Sequence, residues 1–226
     1  MKWFISTRAR LGLALGAATL TSVSLFFVAA AMNHNYYYSY MIWNIVLAWM
    51  PFGLMILLEK TLRRKLWSSW EALALTALFV GFLPNTFYVL TDIIHIYEEP
   101  RADIVFDVIM LGSFVFNAFI LGLISVFMFH VELRRRLTSF KSWSLIAILI
   151  FATSFAIYVG RDLRWNTWDI LFNPASVLFE VSDRILSPLA HPEVYSATLG
   201  FFVLITSVYV TAWYIARAAR QLKMPD

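Results

Sequence analysis

Residues 108–129 read VIMLGSFVFNAFILGLISVFMF, a run of 22 residues without a single charge. A helix needs about 20 predominantly apolar residues to cross the roughly 30 Å hydrocarbon core of a bilayer. This stretch is therefore long enough to span a membrane as one helix. Its only amide side chain, Asn117, lies near the middle of the run.

The composition of the whole chain also indicates a lipid environment. The 226 residues are 61% hydrophobic and only 14% charged, and the mean hydropathy is +0.71. Soluble domains are roughly 45–50% apolar and about 25% charged. These values exclude a soluble globular domain, a disordered chain and a nucleic-acid-binding module. The chain has no cysteine, which excludes disulfides, thiolate nucleophiles and cysteine-ligated metal centres.

Five further apolar stretches are long enough, or nearly long enough, to cross a membrane. The first follows a basic N-terminus, but its 22 apolar residues exceed the roughly 7–15 of a signal peptide, so we predict a retained span. The sequence thus predicts an all-α integral membrane protein, a single polytopic domain over residues 1–226. Its six transmembrane helices are expected at about 11–32, 40–58, 72–91, 108–129, 143–160 and 198–216.

The loops between these spans alternate in charge. One set, which includes both termini, holds 14 of the 18 Lys and Arg residues and four acidic residues, about +10. The other set holds four basic and ten acidic residues, about −6. Because cytoplasmic loops are enriched in Lys and Arg, both termini are predicted to be cytoplasmic and the acidic loops to lie outside.

The first polar stretch within this apolar chain is FLPNTFYVLTDIIH, residues 82–95. Pro84 should break the third span, because it lacks a backbone donor. On a continuous α-helix, Asn85, Tyr88, Asp92 and His95 would share an arc of about 80°. Two interpretations stay open: a capped, kinked helix end that Asn85 repairs, and a functional polar face.

The second polar feature is a pair of acids at the start of the fourth span. Asp103 is typical of a helix N-cap, where a carboxylate is favoured by the helix dipole. Asp107 lies one turn deeper and on the side of the helix that carries Asn117, which predicts that it faces the bundle interior.

The third polar stretch, GRDLRWNTWDILFNP at residues 160–174, follows the fifth span. If it is helical, Asp162, Asn166, Asp169 and Asn173 lie within about 60° of one another. Asn173 and Pro174 predict the start of an amphipathic helix, which we expect to lie in the outer membrane interface between helices five and six. The alternative is a tryptophan-anchored loop with its own salt bridges.

These stretches supply the candidate site residues, all predicted on the outer side. The catalytic candidates are Asp92, His95, Asp107 and Asp162. The substrate-binding candidates are Asn85, Arg161, Arg164, Trp165, Asn166 and Asp169. Asp92 and His95 have the spacing at which two side chains share a metal, but one such pair is not a metal motif, so no metal site is assigned and the cofactor is unknown.

Three functions fit this pattern. A membrane-embedded enzyme would use His95 as general base, oriented by Asp92, and the arginines at 161 and 164 as a clamp for a phosphate or carboxylate of a lipid or envelope precursor. A small transporter would need a polar path, yet the cytoplasmic halves of the spans carry almost no charge. A non-catalytic membrane subunit would use the polar cluster as a structural network. The expected partner is the lipid bilayer, with no nucleic acid, and protein partners are unknown.

Several aromatic and polar residues near the span ends predict interfacial positions. His130 and Glu71 lie at predicted cytoplasmic ends. Tryptophans near span ends are typical of the aromatic belt at the membrane surface. They are Trp3, Trp43, Trp67, Trp70, Trp143 and Trp213.

Together, the stretch at 82–95, the Phe-Asp pair that opens the next span and the run from residue 160 resemble a bacterial family of membrane proteins. This family is filed as domain of unknown function 1361. The likeness extends from about the second span to the sixth. It implies a multi-pass protein of the bacterial plasma (inner) membrane without an established activity, so no functional residues are transferred.

Overall fold

The computed structural model describes residues 7–97, 103–162, 175–176, 182, 184 and 191–221. These residues form helices and turns and contain no strand. Two 3-10 helices, Tyr37–Ser39 and Val89–Tyr97, accompany the α-helices. The α-helices are α1 (Thr7–Asn33), α2 (Tyr40–Leu62), α3 (Trp70–Phe82), α4 (Pro84–Tyr88), α5 (Ile104–Arg134), α6 (Ser139–Asp162) and α7 (Pro192–Gln221).

Within the described residues, six helical segments are long and apolar enough to cross a membrane, which confirms the predicted number of spans. The third consists of α3, α4 and most of the following 3-10 helix. Each segment overlaps its prediction and extends beyond it by a few residues at one or both ends. Their bounds are Ala9–Asn33, Tyr37–Leu62, Trp70–Ile94, Ile104–Arg134, Ser139–Arg161 and Pro192–Ala219. The expected interfacial helix after Asn173 lies outside the described residues.

The helices place the two sets of loops at opposite ends of the bundle. At one end, which we call the basic end, Glu59 of α2 forms ion pairs with Arg63 and Arg135. At the other, the acidic end, Asn33 of α1 donates to Asp107 of α5. The charge asymmetry of the sequence is therefore also an asymmetry of the folded bundle.

Helix α5 is the centre of the bundle. It packs against α1 and α2 on one side and against α4 and α6 on another. Its buried residues run almost its full length, from Asp107 to Leu133, so it is enclosed by protein along much of its surface. One apolar cluster joins α1, α2 and the first half of α5, and a second joins α2 to α7 around the second half.

The outer surface of the bundle is apolar. Large side chains such as Leu20 and Phe116 are 69% and 71% exposed, as expected for a surface that faces lipid tails. Trp43 and Trp70 are likewise exposed near helix ends, which agrees with the aromatic belt. Trp213 does not belong to the belt, because it is buried against His130.

Two spans approach each other closely at Gly122 of α5. A Cβ atom there would lie 2.4 Å from Thr86 Oγ1 and 2.6 Å from Cζ of Phe87, both on α4. These distances are shorter than any van der Waals contact, so only glycine lets α4 pack directly on α5. Small residues serve the same purpose in other membrane helix pairs.

We predict that Gly122→Ala lowers the unfolding free energy by about 1–3 kcal/mol, because overpacking forces α4 away from α5. The measurement is thermal unfolding of the purified protein in detergent. Gly112→Ala is the matched control on the same helix, since a Cβ atom there meets nothing within 4 Å. Equal stability of the two variants would contradict this account of the contact.

Candidate functional site

The third span breaks at Pro84, as the sequence predicts. Helix α3 ends at Phe82 and α4 begins at Pro84. Asn85 Nδ2 donates to the carbonyl oxygen of Phe82 at 3.1 Å, and Thr86 Oγ1 donates to that of Leu83 at 2.7 Å. These bonds serve carbonyls next to the break, so Asn85 has a local structural role, and its substrate-binding role stays a prediction.

Beyond α4 the chain tightens into the 3-10 helix Val89–Tyr97. Nine residues is long for this conformation, which rarely exceeds about four. Thr91 Oγ1 donates to the carbonyl oxygen of Tyr88 at 2.8 Å, within the first turn of this helix. The 3-10 helix changes the arc expected on a continuous α-helix, because each of its residues turns by about 120° and positions three apart, such as 92 and 95, then share one face.

Asp92 lies in this 3-10 helix and is buried, with 3% of its surface exposed. Asn44 Nδ2 of α2 donates to Asp92 Oδ2 at 2.8 Å. The amide orients one carboxylate oxygen and ties the 3-10 helix to the start of α2.

The two acids at the start of α5 lie where the sequence predicts. Asp103 caps the helix, accepting from the backbone N–H groups of Val105 and Phe106. Asp107 is fully buried and accepts from Asn33 Nδ2 at 3.2 Å. Each buried carboxylate of the acidic end thus bonds the amide of a different helix.

A cavity of about 420 Å³ opens at the acidic end between α6 and α7. Its polar lining comes from Tyr158 and Arg161 on α6 and from Glu193 and Ser196 on α7. Phe201, one turn further along α7, supplies an apolar wall. The cavity therefore offers a cation, a carboxylate, hydroxyl groups and an aromatic surface within one space.

The arginine of this cavity also bonds the 3-10 helix. Arg161 Nη1 donates to the carbonyl oxygen of Thr91 at 3.1 Å, and Thr91 precedes Asp92. Arg184 Nη1 donates to the hydroxyl of Tyr158 at 2.9 Å, which places a second guanidinium beside the lining. Asp92 and Asp107 are not among the residues that line the cavity.

The remaining candidate residues cannot be placed. The side chains of His95 and Asp162, and the whole of Arg164, Trp165, Asn166 and Asp169, lie outside the described residues. Within the part of the chain that is described, no group of three His, Asp or Glu side chains is arranged to hold a metal ion.

The structure adds a polar node in the middle of the bundle. Thr19 Oγ1 of α1 accepts from Asn117 Nδ2 of α5 at 2.9 Å and from Trp49 Nε1 of α2 at 3.0 Å, and donates to the carbonyl oxygen of Leu15. Asn117 was visible in the sequence as an amide in an apolar run. Its hydrogen-bond network could not be predicted, because nothing in the sequence indicates that Thr19 and Trp49 lie next to each other and to Asn117.

Sequence analysis placed His130 incorrectly. It is fully buried rather than interfacial, and its Nδ1 lies 2.7 Å from the hydroxyl of Tyr209 on α7. The imidazole stacks on Trp213 with ring centroids 4.2 Å apart, and Trp143 meets it edge-on at 4.6 Å. Because His130 lies two residues before Glu132 and near a charged loop, the sequence suggested a position at the membrane surface. In the structure, these aromatic rings cover the imidazole.

The basic end contains its own buried acids. Glu132 is 3% exposed and bonds Arg135 and Arg136, the latter from Nη1 to Oε2 at 2.6 Å. Arg136 also lies over the ring of Trp67 at 5.3 Å. These pairs compensate the buried carboxylates and fix the loops that join the spans.

A family model described as "Protein of unknown function (DUF1361)" matches residues 43–211, which is most of the chain. The chain belongs to this family. No curated protein and no solved structure matches the DUF1361 chain. The matched range includes Asn44, Asp92, Asp107 and the whole cavity lining, whereas Asn33 lies before it.

We predict that Thr19→Val destabilises this DUF1361 protein by about 1–2 kcal/mol, because the amide of Asn117 and the indole of Trp49 lose their acceptor within the bundle. Resistance to unfolding in mixed detergent measures the effect. Thr21→Val serves as control, since the exposed Thr21 hydroxyl bonds only the carbonyl oxygen of Ala17 in its own helix. A loss no larger than that of the control would show that the node contributes little.

Proposed function

We propose that this protein is a membrane-embedded enzyme that acts on an anionic lipid or envelope precursor at its acidic end. The observation that carries the proposal is the position of Arg161. Arg161 lines the cavity, and its guanidinium bonds the carbonyl of Thr91, the residue next to the buried Asp92. An anion-binding group and a buried carboxylate thereby belong to one connected unit.

The proposed membrane is the bacterial plasma (inner) membrane, with the basic end and both termini in the cytoplasm. The positive-inside rule supports this orientation, since arginines and lysines dominate the basic end. The acidic end and its cavity then face the outer side, where envelope precursors and outer-leaflet lipids are accessible.

The chemistry of the cavity supports an amphiphilic anion as substrate. A guanidinium forms paired, charge-assisted hydrogen bonds with phosphate or carboxylate oxygens. Arg161 is in place for this contact, and Ser196 and the hydroxyl of Tyr158 add further polar groups. Phe201 continues the cavity as an apolar wall, which suits the first carbons of an acyl chain.

Asp92 is the proposed acid–base group; it is not among the residues that line the cavity, and it is joined to the cavity through Thr91 and Arg161. Its carboxylate is buried and is oriented by Asn44, which is how a general base is held in one geometry. His95 follows three residues later and is the proposed partner, as the sequence spacing suggests. Asp107 and Asp162 remain further candidates for the same role.

A second function is favoured by the amide partners of the two buried acids. Asn33 bonds Asp107 and Asn44 bonds Asp92, so both pairs join separate helices. In a non-catalytic membrane subunit these bonds would serve stability alone. The two functions differ in what they require of Asp92: a base in the enzyme, an acceptor in the subunit.

The orientation predicts which engineered cysteines a membrane-impermeant maleimide reaches in intact cells. Tyr36→Cys at the acidic end should be labelled, and Ser68→Cys at the basic end should be labelled only after the cells are opened. Both positions are exposed, and the natural chain has no cysteine to interfere. The reverse pattern would place the basic end outside.

The proposed activity predicts different effects of two substitutions in vesicles made from a bacterial total lipid extract. Arg161→Gln should weaken the retention of anionic lipid about tenfold, because a charge-assisted bond contributes about 1.5–3 kcal/mol. Asp92→Asn should retain the lipid but lose its conversion, since the amide still accepts from Asn44 but is no longer a base. Native mass spectrometry measures retention, and mass spectrometry of the extracted lipids measures conversion.

Arg217→Gln is the control for charge removal, because Arg217 is exposed at the basic end of α7. Asp92→Ala distinguishes the second function. If Asp92→Asn converts the lipid in vesicles as well as the unaltered protein does, and Asp92→Ala fails to accumulate in cells, the carboxylate is a structural acceptor. The enzyme proposal is then wrong.

A further inference from the structure

Helix α7 touches the bundle through one narrow stripe, which faces α6 and the end of α5. Its fully buried side chains are four or seven residues apart, as expected for a single face of an α-helix. They are Val194, Thr198, Ile205, Tyr209 and Trp213. The contact of Phe202 with Phe151 of α6, 5.6 Å between ring centroids, lies on the same side. We call the interface along this stripe the α6–α7 seam.

Three polar atoms along the seam are buried and have no hydrogen-bond partner among the described residues. They are Thr198 Oγ1, Thr206 Oγ1 and His130 Nε2. Thr198 is 4% exposed and His130 is fully buried. A threonine in a helix normally bonds a carbonyl of the preceding turn, as Thr211 does to Ser207. Thr198 and Thr206 make no such bond, so their hydroxyls are available to another partner.

An unpaired polar atom in a membrane interior costs free energy that a bound water recovers. Buried waters typically bond two to four such groups. A fourth unpaired atom, Asn117 Oδ1, lies apart from the seam at the polar node of α1, α2 and α5. The other three unpaired atoms lie along one interface, where a single file of waters could form hydrogen bonds with each of them.

The depths of the polar groups fit such a file. At 1.5 Å per residue, Thr198 lies about 3 Å below Ser196 of the cavity and Thr206 about 12 Å deeper still. Tyr209 follows Thr206 by about one turn. The longest step, from Thr198 to Thr206, is thus about 12 Å along the helix axis, which about four waters bridge at about 2.8 Å each.

We infer that the α6–α7 seam is a hydrated path, which leads from the Arg161 cavity at the acidic end to the pair formed by Tyr209 and His130. Its ligand is water. The path is built from hydroxyl groups rather than charges, which is why the near absence of charge in these spans did not reveal it. The inference is independent of the proposed enzyme activity, because it concerns only which side chains contact water.

Single cysteines test the path, since the natural chain has none. Thr198→Cys and Thr206→Cys are compared with Val203→Cys, which lies between them in depth but is 64% exposed on the lipid-facing side of α7. The probe is a small, positively charged methanethiosulfonate, which reacts with the thiolate and therefore with thiols in contact with water. In lipid vesicles, both seam cysteines should react at least ~10-fold faster than Val203→Cys, because lipid suppresses ionisation of the thiol.

Equal rates at all three positions, or a Thr206→Cys as slow as Val203→Cys, would overturn the inference. A second measurement needs no substitution. In the unaltered protein in vesicles, magnetisation transfer from water in solid-state NMR should reach the side chains of Thr198, Thr206 and His130 and not that of Val203. Absence of transfer to Thr206 and His130 would show that the seam is dry.

Discussion

The contact at Gly122 is the constraint on which the acidic end depends. Because α5 has no side chain there, α4 packs directly on it through Thr86 and Phe87. The Pro84 break lies just before this contact, so the chain leaves it in a fixed direction and continues as the 3-10 helix. That helix supplies the carboxylate of Asp92 and the carbonyl that Arg161 bonds. A glycine deep in the bundle thereby positions polar groups several turns away.

Lipid imposes a second condition, that each buried polar group find a partner within the protein. At the acidic end, asparagine amides bond the buried carboxylates, and at the basic end arginines bond them. Asp92 and Asp107 bond asparagines of α2 and α1, whereas Glu59 and Glu132 bond the guanidinium groups of neighbouring loops. An amide orients a carboxylate through a hydrogen bond, and an arginine in an ion pair also compensates its charge.

The sequence predicted features that depend on the length of an uncharged stretch or on residues close to a helix end. These features are the six spans, the Pro84 break, the cap at Asp103 and the buried side of Asp107. The sequence could not predict features that depend on which helices meet. The 3-10 helix after Tyr88 packs on α5, and its own sequence does not indicate this conformation. Gly122 looked like any glycine in an apolar helix, and His130 looked interfacial because its aromatic cover comes from α6 and α7. The convergence of Arg161 with Thr91 spans 70 residues of chain, and no local pattern encodes it.

On both sides of α5 the described residues leave a buried polar atom without a hydrogen-bond partner, and on the side of α1 and α2 this atom is Asn117 Oδ1. Toward α1 and α2, Thr19 uses its hydroxyl proton and accepts from two donors, which fits a fixed structural joint. Toward α6 and α7, two threonines and one imidazole nitrogen have no partner among the described residues, and the cavity opens at the same interface. Since α7 is held mainly by α6, small movements of this pair would change the width of the seam without disturbing the joint on the other side. The hydrogen bonds of Asp92 and Asp107 thus lie on the side of α1 and α2, and the cavity lies on the side of α6 and α7.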